Sequence, residues 1–195
     1  NIIKEELLAL KAKYGDERRT EIIDEAKEFE IEDLIAEEEM VVMISHEGYI
    51  KRMPITTYHR QHRGGIGVIG MGTKEGDFLE HLFVASAHQY ILFFTDRGKC
   101  YWLKVFEIPE GSRTASGRAI VNLLRVENDE NITAFVPVRE FDENRFVFMA
   151  TEKGVVKKCS LDVFSNPYSA GIIAINLDEG DKLIGAQLTE GEHYI

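Results

Sequence analysis

Cysteine is nearly missing from this sequence: Cys100 and Cys159 are the only two, and they fall on different predicted strands. That excludes a disulfide scaffold and a thiolate metal cluster, leaving buried free thiols in a reducing cytosol as the reading. Proline is also scarce, at four residues, beside 44% hydrophobic and 29% charged residues, the balance of a soluble globular chain. No apolar stretch approaches the ~20 residues that span a bilayer. The first residues, Asn1-Ile2-Ile3-Lys4-Glu5, lack the pattern of a signal peptide. A nucleophile elbow, a Walker-type Gly-Lys-Ser/Thr ending and a compelling carboxylate pair are all missing. Nothing in the residues makes a case for catalysis.

What is present is a repeat. Three diverged copies each open with an apolar run, turn at a glycine and continue with basic or aromatic residues. The first is Val41-Val42-Met43-Ile44, Gly48, then Lys51-Arg52. The second is Ile91-Leu92-Phe93-Phe94, Gly98, then Tyr101-Trp102-Leu103-Lys104. The third is Phe146-Val147-Phe148-Met149, Gly154, then Lys157-Lys158. The glycines lie 50 and 56 residues apart. Units of that size with several strands each predict propeller-like β blades. Later turns at Gly76-Asp77, Asn128-Asp129 and Gly180-Asp181 each precede another apolar strand. The aspartates read as turn residues satisfying nearby backbone donors. Tyr101 and Trp102 read as blade core rather than a base-stacking platform.

The first 40 residues differ. Ile3, Leu7, Leu10 and Tyr14 are spaced as one stripe of an amphipathic helix or coiled-coil end. Gly15 is the expected stop, through a left-handed conformation past the C-terminus. An acidic connector follows, in which Ile31 to Ile35 fits a strand or a short helix equally. The expected organisation is a helical end with an acidic linker over residues 1–30, then β repeats over 31–195. The repeats run roughly over 40–90, 91–145 and 146–195.

Charge follows the same division. Residues 1–40 hold 6 Lys/Arg against 14 Asp/Glu, and the remainder holds 17 against 20. The repeats are therefore near neutral, despite a chain net charge of −11. A near-neutral domain binds a polyanion if its cations share one rim, because phosphate affinity follows local counterion release. Basic residues recur after the glycine turns: Lys51-Arg52, Lys99 and Lys157-Lys158. A solvated face explains any one of them; recurrence in register favours a rim for the set.

Gly65-Ile66-Gly67-Val68-Ile69-Gly70 matches a dinucleotide-binding glycine pattern. It follows polar loop residues and opens no helix, so the pyrophosphate mechanism fails. His59 and His62 form the only close histidine pair, without the further ligands zinc requires. The loop from Arg60 to Gly67 is more suggestive. Its glycines let backbone amides approach a phosphate, and Arg63 adds a forked donor. A plain surface turn is the competing reading.

Several segments resemble the A-type subunit of bacterial DNA gyrase: Tyr14-Gly15-Asp16-Glu17-Arg18-Arg19-Thr20, Gly48-Tyr49-Ile50-Lys51-Arg52, Gly117-Arg118-Ala119-Ile120-Val121-Asn122-Leu123-Leu124, and Phe148-Met149-Ala150-Thr151 with Gly154-Val155-Val156-Lys157-Lys158. The resemblance covers essentially the whole chain. It implies the end of a helical core region, then a mainly β, pinwheel-type domain that bends duplex DNA around a basic rim. About three of six blades would be present. Gln61-His62-Arg63-Gly64-Gly65-Ile66-Gly67 would then be the gyrase-A box, with His62 in place of an arginine and Ile66 in place of a lysine. The implied DNA contacts are Gln61, His62, Arg63, Gly64, Gly65, Ile66 and Gly67 with Lys51, Arg52, Lys99, Arg113, Arg118, Lys157 and Lys158. The resemblance also implies a type II topoisomerase assembled as an A2B2 complex in the bacterial cytoplasm, at the nucleoid. Its ATP and Mg would be held by the gyrase B subunit, and its cleavage tyrosine lies outside this sequence. Two rivals stay open: a topoisomerase IV A-type domain, and a protein-interaction propeller with no DNA role.

Overall fold

The computed structural model describes residues 2–16, 20, 31–58, 70–127 and 129–191 of the chain. These fall into two compact units that divide between Leu34 and Ile35, four residues beyond the expected boundary.

The first unit contains helix α1 (Ile2–Tyr14) and a 3-10 turn over Ile31–Leu34, so the helical alternative holds for the latter segment. Alternating apolar and charged residues at helical spacing explain α1. Glu5 in its first turn and Lys11 and Lys13 in its last complement the helix dipole. The stop at Gly15 differs from expectation. Gly15 donates its N–H to the Lys11 carbonyl at 2.8 Å without a left-handed φ. Glycine is needed there because a Cβ would strike that carbonyl.

The second unit is β throughout. Its strands are β1 (Glu39–Ser45), β2 (Tyr49–Pro54), β3 (Leu79–Ser86), β4 (Tyr90–Thr95), β5 (Lys99–Lys104), β6 (Arg118–Ala119), β7 (Ile132–Val138), β8 (Phe146–Thr151), β9 (Val156–Ser160), β10 (Ile172–Ile173) and β11 (Leu183–Thr189). They form three antiparallel sheets, ordered β3-β1-β2-β6, β7-β4-β5-β10 and β11-β8-β9. The tight hairpins β1–β2, β4–β5 and β8–β9 turn at Gly48, Gly98 and Gly154, with φ of 79°, 75° and 86°. A side chain would strain each turn, which is why glycine marks the repeat.

One feature of the topology was not legible in the repeat. β6 belongs by sequence to the second repeat but pairs with β2 of the first, Ile50 opposite Arg118. β10 of the third repeat likewise pairs with β5 of the second, Cys100 opposite Ile172. The first two hairpins are thus each covered by a segment of the following repeat. Among the described residues β9 has no such cover. Val156 is 59% exposed, whereas Ile50 and Cys100, each likewise two residues after the hairpin glycine, are fully buried.

Burial follows position in this stack. On β4, Ile91 and Phe93 enter one apolar cluster with Val42, Ile44 and Leu103. Leu92 and Phe94 enter a second, with Trp102, Val147, Met149 and Phe164. The middle sheet is covered on both faces, so its strand reads as a continuous apolar run. Truncating Phe93 or Phe94 to Ala would cost about 3–5 kcal/mol. β8 buries Val147, Met149 and Thr151, while Phe146, Phe148 and Ala150 stay half-buried. That alternation marks a sheet packed mainly on one face.

Candidate nucleic-acid interface

The sheet order gives every sheet two unlike edges. β3, β7 and β11 lie along one edge. There the sheets meet: His81 of β3 packs its ring on Phe135 of β7 with centroids 5.0 Å apart. β7 in turn packs on β11. β6, β10 and β9 form the opposite edges. Backbone pairing therefore sets which cations lie at the outer margin.

Arg118 sits on β6 and Arg113 on the segment leading into it; both side chains are exposed. Neither has a carboxylate within ion-pair reach among the described residues. Lys157 and Lys158 lie on β9 and are exposed as well. Lys157 donates to the Ala174 carbonyl at 2.6 Å. Lys158 donates to the Gly191 carbonyl at 3.2 Å, with its ammonium 4.3 Å from the Phe146 ring centroid. Carbonyl partners leave the positive charge uncompensated, so both lysines remain able to neutralise a phosphate.

Lys51 departs from the expectation. It is fully buried, and its ammonium donates to the carbonyls of Ser112 at 2.8 Å and Arg113 at 3.1 Å. Burial lowers its pKa from the usual lysine value. The segment leading into β6 covers it, so its ammonium is internal and is not part of the exposed cationic surface. Arg52 is mostly committed too. Its Nε donates to the Ile108 carbonyl at 2.7 Å, and its Nη1 lies 3.4 Å from a Glu110 carboxylate oxygen. Lys99 is compensated by acid: its ammonium lies 2.6 Å from Glu127 and 3.8 Å from buried Glu130. The hydrogen bond to Glu127 raises its pKa, outweighing desolvation. Gln61, His62, Arg63, Gly64, Gly65, Ile66 and Gly67 lie outside the described residues, as do His59 and most of the glycine pattern.

The acidic turn residues have the structural role expected in two repeats of three. Asp77 accepts the N–H groups of Glu47 at 3.0 Å and Phe78 at 2.9 Å. Asp181 accepts those of Lys153 at 3.0 Å and Lys182 at 2.8 Å. Burial opposes ionisation of both. The hydroxyls of Ser45 and Thr151, with these N–H donors, outweigh it and hold both carboxyls below the usual range. In the second repeat the sequence expectation of Asp129 was misplaced. Asp129 is exposed and pairs with Arg97. The buried acid is Glu130, which takes the Thr95 hydroxyl at 2.5 Å and the Tyr101 hydroxyl at 3.0 Å. Counting back two residues from the following strand would have found it. Asp77, Glu130 and Asp181 precede Leu79, Ile132 and Leu183 by two. Tyr101 and Trp102 are core, as read from the sequence. Cys100 and Cys159 are free; Cys100 is buried and Cys159 half-buried.

Comparison with known proteins matches this geometry. The family described as "DNA gyrase C-terminal domain, beta-propeller" matches residues 39–86, 89–139 and 145–190, one stretch per repeat. The gyrase A protein of Salmonella typhimurium is 53% identical over 194 residues, covering 100% of this chain and 22% of that protein. Its counterpart in Halalkalibacterium halodurans is 51% identical over 195 residues, covering 100% of this chain and 23% of that protein. The chain thus spans under a quarter of the relatives' length. Among solved structures, the C-terminal domain of DNA topoisomerase IV superposes with a TM-score of 0.69 at 26% identity, covering 80% of this chain and 47% of that one. A DNA gyrase A C-terminal domain superposes with a TM-score of 0.61 at 23% identity, covering 78% of this chain and 48% of that one, a likeness of fold. By its family match, the chain belongs to the DNA gyrase C-terminal domain family of β-propellers.

Proposed function

We propose that this chain is a DNA-binding and DNA-wrapping part of a gyrase A protein. In this reading it bends duplex DNA around its outer margin and so supports ATP-dependent negative supercoiling by the whole enzyme. The observation that carries the reading is the placement of Arg113, Arg118, Lys157 and Lys158. All four are exposed on the edge strands or the segment entering them, and none has a carboxylate in ion-pair reach among the described residues. Such cations release counterions from phosphate without reading bases. Bending 20–30 base pairs by 40–90° costs on the order of 1–6 kcal/mol, which added phosphate contacts offset. In the proposed assembly, the ATP and Mg chemistry belongs to a partner gyrase B subunit, in an A2B2 enzyme of the bacterial cytoplasm acting at the nucleoid. The box residues Gln61–Gly67 remain part of the proposed contact set, with Arg63 as its principal donor.

The topoisomerase IV reading draws support from the 0.69 superposition. The roughly 50% identity to gyrase A proteins over the full chain favours gyrase. One measurement separates them. The full-length protein is bound to relaxed circular DNA, nicks are closed with ligase, and the linking-number change is read. Gyrase-like wrapping shifts it; an unshifted distribution defeats the wrapping proposal.

A further inference from the structure

The segment from Ile108 to Ala119 crosses from the second repeat onto the first sheet, and it is pinned along its length. Pro109 accepts the Arg52 N–H at 3.1 Å, and Gly111 donates its N–H to the Arg52 carbonyl at 3.1 Å. Arg52 Nε holds the Ile108 carbonyl, and Lys51 Nζ holds those of Ser112 and Arg113. Two glycines allow the approach. A Cβ on Gly111 would sit 3.2 Å from Lys51 Cδ, and one on Gly117 would run into the Ile50 carbonyl. The Lys51 ammonium is the one buried charge in this contact among the described residues. It joins two consecutive carbonyls, the second belonging to Arg113 itself. A carbonyl so held fixes the peptide plane, and with it the direction in which Arg113 leaves the backbone. Arg118 follows five residues on, in the short strand that the same contact seats on β2.

Sequence periodicity gave Lys51 the same part as the exposed lysines of β9. The geometry points to a different one: Lys51 is a positioning residue that holds the 108–119 strap so that Arg113 and Arg118 face the DNA backbone. This rests on the DNA-binding reading above. Register supports the structural half independently. The residue three past the hairpin glycine is Lys51 in the first repeat and Tyr101 in the second, and both are buried beneath the segment of the following repeat. In the third repeat it is Lys157, on the uncovered β9, and it is exposed.

The test uses the full-length protein with three variants: Lys51→Met, Arg113→Ala/Arg118→Ala, and all three changes together. Hydrogen exchange is followed in residues 108–119. Duplex binding is measured across a salt series. Lys51→Met should accelerate exchange in the strap while β4, β8 and β11 keep their protection. The double arginine variant should lower the salt slope by about 1.8, from ~0.9 for each of two phosphates. Adding Lys51→Met to it should change DNA affinity less than about twofold, because the strap then carries no cation to position. If Lys51→Met lowers affinity by the same factor with and without the arginines, Lys51 meets phosphate directly and the proposal is overturned. Unchanged strap exchange, or protection lost across all three sheets, also overturns it. If the arginine variant leaves DNA binding intact, the DNA reading fails by itself, and exchange still decides whether Lys51 holds the strap.

Discussion

Trp102 donates its indole N–H to the carbonyl of Phe164 at 2.7 Å, across the boundary between the second and third repeats. Arg52 makes the same bond to Ile108, also at 2.7 Å, across the boundary between the first and second. Both donors lie four residues past their hairpin glycines, at Gly98 and Gly48. Both acceptors lie ten past the glycine of the next repeat, Gly154 and Gly98. An indole and a guanidinium thus do one job: a flat N–H donor satisfies a carbonyl that the crossing chain would otherwise bury unpaired.

Trp102→Phe keeps an aromatic ring but removes that donor. It should destabilise the second and third sheets by about 1–3 kcal/mol, the cost of a buried carbonyl left without a partner. Denaturant unfolding of the full-length protein, followed by a probe in these sheets, checks this. An unchanged midpoint would mean that water replaces the indole.

Acid should loosen the ends of the first and third sheets. Asp77 and Asp181 have carboxyls held below their usual range. The stability they contribute is present above the unfolded aspartate pKa of about 3.9 and is lost as pH falls through the folded values. Ser45→Ala removes one donor to Asp77, so the acid transition of the first sheet should move to higher pH. Hydrogen exchange at Glu47 and Phe78 across an acid series reads it.

Tyr101 should resist ionisation. Burial, then its hydrogen bond to Glu130, pushes its pKa up to about 12. A spectrophotometric tyrosine titration should show one phenol ionising only in that region, and Tyr101→Phe should abolish this late component. A component that persists in the variant would assign it to another tyrosine.

Arg113→Ala and Arg118→Ala should each lower the salt slope of DNA binding by about 0.9 if each neutralises one phosphate. Affinity should fall equally for unrelated duplex sequences, since phosphate contacts carry no base information. Fluorescence anisotropy across a salt series measures both effects, and a loss confined to one duplex sequence would contradict them.

For Arg63→Ala in the full enzyme, supercoiling should fall while DNA relaxation and cleavage persist, because the cleavage centre lies elsewhere in the proposed assembly. Supercoiling at wild-type rates would make the box a structural loop.

By itself, the sequence determined the local elements. An apolar run of β-formers, a glycine at the turn and a second run are enough to specify each hairpin. Helical spacing of Ile3, Leu7, Leu10 and Tyr14 is enough for α1. These are short-range properties of backbone sterics and side-chain period. Motif resemblance identified the family, which the comparisons bear out. Only the tertiary structure decided what covers each hairpin. Arg118-Ala119 and Ile172-Ile173 are two-residue strands, too short to carry a periodic signal, and their partners lie in the preceding repeat. That exchange decided the fate of the recurring cations. Lys51 and Lys157 hold the same place in the repeat, yet one is buried beneath a crossing chain and the other is exposed on an uncovered edge. Whether such a lysine is buried or left at the surface depends on a chain passing over it from 61 residues away, and long-range contact of that kind leaves no trace in local spacing.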